Sequence, residues 1–369
     1  MGHTFELSTE LLQPVLATLL NDETARPDSF EMIALKPGAG NPTSLGVYRV
    51  SGQALLSGDI QDFSLVVKHL ANGLPMMDAS QETYWNFWRR EIVFFESPIA
   101  QRIPASIGFP TYLGQSSLTD GTALFWNSDL GDLAKTAWTW EQCLNAARLV
   151  AELNSVDSSD LYQYGWLNQN QPDGWHDFYV AWGAPDPRKA LFEYAAAHPE
   201  AAVLLEISKP YILDHDLIKG ILYSGRHTFV HGDFNLNNLV PVTGGDITLI
   251  ALDWQLAGVA RLGTEVAAIF NVAIEHGVCA VEEASFNELC QAYTDRFNQL
   301  NPEEPASLDE VRLAAAAMGY FIIEGMAMYW QNPTPDDSPE VARQKIGELF
   351  KTFTSTPIHV YAKVLTELL

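Results

Sequence analysis

Cysteine is scarce in this sequence, with only three such residues among 369. Cys143, Cys279 and Cys290 are odd in number and lack the close spacing of metal-ligand pairs. The small number argues against a disulfide framework, and the spacing argues against a cysteine metal site. We expect all three to be reduced residues of the core or the surface.

Basic residues are also few, since 21 Lys and Arg stand against 46 Asp and Glu, for a formal net charge of −25. Nucleic-acid binding requires clustered cations that neutralise phosphates, so this balance argues against a nucleic-acid partner. Two explanations of the acidity stay open. It can serve solubility alone, or it can attract a cationic substrate.

Long apolar runs are missing as well. No run approaches the ~20 residues of a transmembrane helix. The first residues include Glu6 and Glu10, where a signal peptide needs a basic start and a continuous apolar stretch. We therefore expect no membrane partner and a cytoplasmic location. A chain of 369 residues that is 47% hydrophobic can form two lobes with separate cores.

One segment has the pattern of a loop followed by a β-hairpin. Two apolar, β-branched runs, 239–242 and 247–252, flank a Thr-Gly-Gly-Asp turn. Pairing these runs would bring Asn238, just before the first, and Asp253, just after the second, to the same open end. Neighbouring strands lie ~4.8 Å apart, so these side chains could share Mg²⁺, which takes oxygen ligands at about 2.1 Å. Asp233 lies in the loop leading to that end and could act as a base.

The spacing of these polar residues is specific. An H-G-D triplet ends at Asp233, Asn238 follows five residues later, and a D-W pair begins at Asp253 after a further fifteen. This pattern resembles the H-G-D-x-x-x-x-N and D-W signature of the aminoglycoside phosphotransferase and choline kinase superfamily. The resemblance implies an α+β, protein-kinase-like fold with a small β-sheet N-lobe (1–130) and a larger, mainly helical C-lobe (131–369).

The same resemblance implies cofactors and roles. ATP and Mg²⁺ would be the cofactors, Asp233 the catalytic base, and Asn238 and Asp253 the metal ligands. Three positions depart from the usual pattern: Asn235 replaces a frequent His, Gln255 replaces the Glu of many aminoglycoside enzymes, and Glu265 stands where Asp is usual. The first two departures leave the acceptor open.

The N-terminal part has the pattern of a three-strand meander, with strands near 30–35, 45–50 and 63–70. Alternation in the third strand turns Val66 and Lys68 to one face, which places a lysine against a buried sheet surface.

A helix is predicted for residues 81–96 from an apolar stripe at helical spacing. Glu91 lies within that stripe, so its carboxylate would be partly buried and would need a partner. The resemblance implies that Glu91 pairs with Lys68 and orients it toward the nucleotide phosphates.

A strand-like run at 123–126 leads into the segment 127–131. The latter resembles the hinge of kinase-like enzymes, where the main chain binds the base of the nucleotide. We therefore expect Ser128 and Leu130 to contact the nucleotide and place the lobe boundary near Leu130.

The resulting hypothesis is an ATP-dependent phosphotransferase that moves the γ-phosphoryl group to a hydroxyl of a small molecule. A nucleotide-binding regulator without turnover is the alternative from another class. An aminoglycoside or other antibiotic is the alternative acceptor, although the departures at Asn235 and Gln255 favour a neutral or weakly charged one. The sequence leaves the oligomeric state open.

Overall fold

The computed structural model describes residues 5–36, 43–72, 79–131, 137–182, 213–242, 245–330, 338, 340–341, 344–345, 348 and 357–369. The strands of the N-terminal part are β1 (Arg26–Lys36), β2 (Ser44–Leu56), β3 (Asp59–Leu70), β4 (Ile107–Gly108), β5 (Tyr112–Ser117) and β6 (Ala123–Ser128). All but β4 form one antiparallel sheet in the order β1-β2-β3-β6-β5. The predicted meander is confirmed. Its strands β2 and β3 run longer than the apolar pattern and meet at Ser57 and Gly58, whose φ values of 45° and 105° suit a tight hairpin turn.

One face of this sheet has its own core. Helix α1 (Thr9–Leu20) begins after Ser8, whose hydroxyl accepts a hydrogen bond from the N–H of Leu11. Its apolar side packs on alternate residues of the central strands. The buried residues of this cluster include Leu12, Leu16, Val50, Leu65, Val67 and Trp126. The residues between them along the strands, Lys68 among them, therefore face the other side of the sheet.

The helix predicted for 81–96 is present only as α2 (Arg90–Glu96). The prediction was wrong for residues 81–89, which form turns. Arg90 gives the reason, because its fully buried guanidinium donates hydrogen bonds to the carbonyls of Tyr84 and Trp85 at 2.6 and 2.7 Å. In a helix those carbonyls would accept from N–H groups four residues ahead. Here the chain is instead folded around the cation.

The C-terminal part is mainly helical, with β7 (His227–Val230), β8 (Leu239–Pro241), β9 (Leu249–Ala251) and β10 (Gly258–Arg261) near its middle. Its helices are α3 (Trp140–Asn154), α4 (Gln171–Trp182), α5 (His215–Tyr223), α6 (Val266–Glu275), α7 (Glu283–Leu300), α8 (Leu308–Trp330) and α9 (Ile358–Leu368). Helix α3 packs on α7, and α8 on α9, around a large apolar core. The three cysteines are free, and two of them, Cys143 and Cys290, are buried in this core. Among the helices of the described ranges, none has both the length and the hydropathy that crossing a bilayer requires.

The predicted hairpin is confirmed as the antiparallel pair β8–β9, with Leu239 opposite Ala251. Thr243 and Gly244 of its predicted turn lie outside the described residues. Strand β4 adds to β9 in parallel, and β7 pairs with β10. The loop 231–238 is thus fixed at both ends by paired strands. An N-terminal antiparallel sheet followed by a helical region confirms the α+β prediction.

Candidate active site

Asp233 lies in the loop between β7 and β8, where two asparagines hold its carboxylate. Nδ2 of Asn235 donates to Oδ1 at 2.6 Å, and Nδ2 of Asn238 donates to Oδ2 at 2.8 Å. Burial raises the pKa of Asp233 to about 6, and the charge of Asp253 adds to this effect. Such a carboxylate is a stronger base than an ordinary aspartate and is still ionised at neutral pH, which suits general-base catalysis.

The backbone around Asp233 is tightly constrained. Gly232 has a φ of 86°, and a Cβ there would lie 2.2 Å from the carbonyl oxygen of Leu256, so only glycine fits. The ring of His231 is fully buried. Its Nδ1 accepts from the N–H of Asp233 at 3.2 Å, and its Nε2 donates to the carbonyl of Leu252 at 2.9 Å. Burial lowers the pKa of His231 to about 4, so this histidine is a neutral brace of the loop.

Lys68 joins two carboxylates from distant parts of the chain. Its Nζ lies 3.0 Å from Oε2 of Glu91 and 2.6 Å from Oδ1 of Asp253. Burial opposes the charge on Lys68, but the two carboxylates outweigh it and raise the pKa of the ammonium. The other oxygen of Glu91 accepts from the N–H of Trp254 at 3.2 Å. The ion pair between Lys68 and Glu91 expected from the resemblance is thus present, and the helix that carries Glu91 is tied to the segment after Asp253.

Asn238 and Asp253 lie at the same end of the β8–β9 hairpin, as predicted. The N–H of Leu252 donates to the carbonyl of Asn238 at 2.8 Å, which sets the two positions side by side. Since Nδ2 of Asn238 bonds to Asp233, its amide oxygen is the atom suited to a metal. Asp253 has the left-handed conformation (φ 59°), which is uncommon outside glycine and is found at functional sites.

This donor set fits Mg²⁺. The ion is commonly held by one or two protein side chains, with water and substrate phosphates as its remaining oxygen ligands. Within the described residues, no cluster of three or more His, Cys, Asp or Glu side chains could hold a metal by itself. A magnesium ion at Asn238 and Asp253 would therefore depend on oxygens of a bound nucleotide. Both assignments as metal ligands stay predictions.

A cavity of about 380 Å³ lies under the sheet. Lys68, Glu91, Asn238 and Asp253 line it together with apolar residues and the segment 127–131. Asp233 adjoins the cavity through its hydrogen bond to Asn238. The polar groups taken from the motif therefore surround one space.

Ser128 and Leu130 both line this cavity. The N–H of Ser128 donates to the carbonyl of Thr111, and its hydroxyl accepts from the N–H of Thr111, each at 2.9 Å. These bonds tie the end of β6 to the neighbouring segment and leave the carbonyl as the group that Ser128 could offer a ligand. The nucleotide contacts of Ser128 and Leu130 stay predictions.

Glu265 has a role that sequence reasoning missed. Its Oε1 accepts from the N–H of Gly232 at 2.9 Å, and its Oε2 lies 3.4 Å from Nδ2 of Asn154. Burial raises the pKa of Glu265 to about 7. The sequence signal was an acidic residue at a position where the resembled family has Asp. The sequence did not indicate that the longer side chain of Glu265 reaches the backbone of the loop 231–238.

Arg90 was also missed, because nothing in the sequence distinguishes this arginine beside Glu91 from an ordinary surface residue. It is fully buried, and besides Tyr84 and Trp85 it donates to the carbonyls of Trp166 and Gln255 at 2.6 and 3.0 Å. The cation thus connects α2 to the C-terminal part and to the segment after Asp253. Burial lowers the pKa of Arg90 to about 9, and the carbonyl dipoles solvate its charge. We interpret Arg90 as the residue that keeps Glu91 in reach of Lys68.

Comparison with known proteins gives no match at the level of sequence. No family model matches the chain, and no curated protein sequence is recognisably similar to it.

Solved structures do share its fold. A microcompartment-associated aminopropanol kinase is 14% identical with a TM-score of 0.50, over 94% of this chain and 95% of the other. Two further structures are less similar. The GDP complex of aminoglycoside 2'-phosphotransferase-IIIa is 13% identical over 94% and 99% of the two chains, with a TM-score of 0.48. Spectinomycin phosphotransferase with ADP and spectinomycin is 12% identical over 99% and 100%, with a TM-score of 0.47.

At these identities the likeness concerns the fold alone. It confirms the kinase-like architecture that the sequence resemblance implied, and it covers nearly the whole chain.

Proposed function

We propose that this chain is an ATP-dependent phosphotransferase that moves the γ-phosphoryl group to a hydroxyl of a small molecule. One observation carries the proposal: Asn238 lines the same cavity as Lys68 and Asp253 and also holds the carboxylate of Asp233. The side chain of Asn238 therefore links the proposed base to the residues proposed to bind the phosphates and the metal. The aminopropanol kinase of the same fold is by its name a kinase of a small amino alcohol, which supports this class of acceptor.

In this mechanism Asp233 accepts the proton of the acceptor hydroxyl while the hydroxyl oxygen attacks the γ-phosphorus. The bond from the γ-phosphorus to the bridging oxygen breaks, and ADP leaves. The two amide donors on Asp233 fix its carboxylate in one orientation. Positioning and electrostatic stabilisation would supply most of the rate in a transfer of this kind.

Lys68 would bind the phosphates. In the structure it bridges Glu91 and Asp253. Asn238 and Asp253 would hold Mg²⁺, which when bound would neutralise the phosphate charge. Lys68 could then exchange Asp253 for phosphate oxygens while Glu91 keeps the ammonium in place.

We further propose that the chain changes lobes near Leu130, with the nucleotide between residues 1–130 and 131–369. The positions of the cavity-lining residues support this division, because Lys68 and Glu91 precede Leu130 whereas Asn238 and Asp253 follow it.

The test is an ATP-consumption screen over choline-like alcohols, amino alcohols, sugars, hydroxylated lipids, macrolides and aminoglycosides. Turnover that depends on one acceptor class and disappears in Asp233→Asn would support the proposal. Exposed Asp246→Asn, at the far turn of the hairpin, is the matched control and should retain full turnover. Magnesium-dependent ATP binding without turnover on any acceptor would instead favour the nucleotide-binding regulator.

A further inference from the structure

Two rows of side chains cross the face of the sheet that covers the cavity. In one row Lys68 lies between Val47 and Phe125 on the neighbouring strands. In the other, two residues further along β3, Val66 lies between Arg49 and Asn127. All six residues line the cavity.

The first row contains Lys68, so it is the row that would lie beside the phosphates of a bound nucleotide. The second row is displaced by two residues, which is about 7 Å along a strand, and it lies next to Ser128, Asp129 and Leu130. A nucleotide with its phosphates at Lys68 would place its base under this second row.

The amide of Asn127 has an unusual environment. Its Oδ1 is buried and has no hydrogen-bond partner among the described residues. A buried acceptor without a partner costs about 1–3 kcal/mol, so such an atom calls for an explanation. Apolar Phe95, Pro110 and Phe125 line the same cavity and offer no side-chain donor. A ligand is then the natural source of the missing hydrogen bond.

Arg49, at the other end of this row, already forms an ion pair. Its guanidinium lies 2.8 Å from the carboxylate of Asp129, which also accepts from the hydroxyl of Ser64 at 2.6 Å. Asn127 is therefore the polar side chain of this row that is left to recognise a base.

We propose that Asn127 selects adenine over guanine in the nucleotide donor. A primary amide presents one acceptor beside one donor. Adenine offers the complementary pair, the N6 amine and N7, whereas guanine offers two acceptors, O6 and N7, so the amide oxygen faces an acceptor in either orientation of the amide. Rotation about the Cβ–Cγ bond of Asn127 exchanges its oxygen and nitrogen without moving the backbone.

This inference rests on the proposed function, since it needs a purine nucleotide in the cavity. A bidentate pair of this kind gives a discrimination of roughly 5- to 150-fold. The parent protein should therefore bind Mg-ATP more tightly than Mg-GTP by a factor in that range. Asn127→Leu, which has similar size and no hydrogen-bonding group, should reduce the ratio of the two dissociation constants to near one, mainly by weakening ATP.

The experiment is calorimetric titration of ATP and GTP analogues that resist hydrolysis, with Mg²⁺, into the parent and two variants. Asn237→Leu is the matched control, because Asn237 lines the cavity from the loop before β8, outside the second row, and its Oδ1 accepts from Nε2 of His276 at 3.1 Å. The ratio of ATP to GTP affinity should be unchanged in Asn237→Leu. A thermal unfolding measurement without nucleotide should show that Asn127→Leu is no less stable than the parent, because it removes an unpaired acceptor.

Each outcome is decisive. The inference would be overturned if the parent bound GTP as tightly as ATP or more tightly, or if the affinity ratio were unchanged in Asn127→Leu. It would also be overturned if Asn237→Leu lost selectivity equally, or if Asn127→Leu clearly lost thermal stability. Each of these results would leave the proposed phosphotransfer standing. Binding of neither nucleotide would overturn both.

Discussion

Glu265 should make the folded protein less stable as the pH rises through neutrality. Its carboxylate is buried at the start of α6, where it accepts from the N–H of Gly232 and faces Asn154. Burial raises its pKa from the ordinary 4.5 to about 7. Between these two values the folded chain holds a proton on Glu265 that the unfolded chain has released. Because the folded state binds more protons in this range, raising the pH favours unfolding.

The size of the effect follows from the same interval. From 4.5 to about 7, at about 1.4 kcal/mol per pH unit, Glu265 costs roughly 3 kcal/mol of stability once it is ionised. About 2 kcal/mol of this should be lost between roughly pH 5.5 and pH 8. The Glu265→Gln variant cannot ionise at this position. Its free energy of unfolding should therefore rise relative to that of the parent by about 2 kcal/mol over the same range.

Urea denaturation of the parent and of Glu265→Gln at the two pH values measures this difference. The substitution also turns an amide toward Nδ2 of Asn154, but that cost is the same at both pH values and cancels in the comparison. Exposed Glu275→Gln, at the other end of α6, is the control and should show no such pH dependence. A parent-to-variant difference that is equal at the two pH values would refute the assignment of a raised pKa to Glu265.

Three residues and the global charge give the remaining predictions. Asp233→Ala should lower kcat about 10²- to 10⁴-fold with little change in Mg-ATP affinity. In the parent, kcat/KM for the acceptor should rise with pH until about 6 and then level, because the ionised base is the active form. Near-normal turnover of Asp233→Ala would exclude Asp233 as the base. Asp253→Ala should weaken nucleotide binding in the presence of Mg²⁺, which paired titrations with and without the metal would isolate. Metal-independent binding by the parent would contradict the ligand assignment. Arg90→Met should lower the free energy of unfolding by about 3 kcal/mol or more, since its buried carbonyl acceptors lose their partner. Half-buried Arg148→Met, which loses only a surface ion pair with Glu141, should change it by less than about 1 kcal/mol; similar losses in both would refute the role of Arg90. The acceptor KM should hardly change as the Debye length falls from about 30 Å at 0.01 M salt to about 8 Å at 0.15 M, and a steep rise would favour a polycationic aminoglycoside instead.

The part of the site that could be predicted from the sequence is the part carried by local spacing. Asp233, Asn238 and Asp253 lie on one loop and hairpin, so the strand pattern alone brings them together. Lys68 followed from alternation along a strand, and Glu91 from a carboxylate in an apolar stripe. These signals extend over a few residues and can be recognised without knowledge of tertiary contacts.

The missed features depend on contacts between distant segments. The partners of Arg90 include carbonyls 76 and 165 residues away, and the contact of Glu265 with Asn154 spans 111 residues. A hydrophobic stripe at helical spacing favoured a helix through 81–89. Such a pattern cannot show that the backbone carbonyls of this segment accept hydrogen bonds from a buried arginine. The unpaired oxygen of Asn127 is visible only when the apolar residues around it are in place.

The charges of the site explain why the metal should accompany the nucleotide. Asp253 and Glu91 contact the ammonium of Lys68, and Asp233 adjoins the cavity through Asn238, whereas Arg49 in the same cavity is paired with Asp129. With His231 neutral, the side chains of the site carry an excess of carboxylates, and the charge of Asp253 helps to raise the pKa of Asp233.

An excess of negative charge repels free ATP and attracts a divalent cation, so the parent should bind nucleotide mainly as its magnesium complex. Removal of the Asp253 carboxylate has two opposite effects on this balance. It takes away a metal ligand, and it also frees Lys68 from its contact at 2.6 Å. We therefore expect Asp253→Ala to bind Mg-ATP more weakly than the parent and metal-free ATP more tightly. A merely destabilising substitution would weaken both, so the opposite signs of the two changes identify Asp253 as the residue that couples the metal to the phosphates.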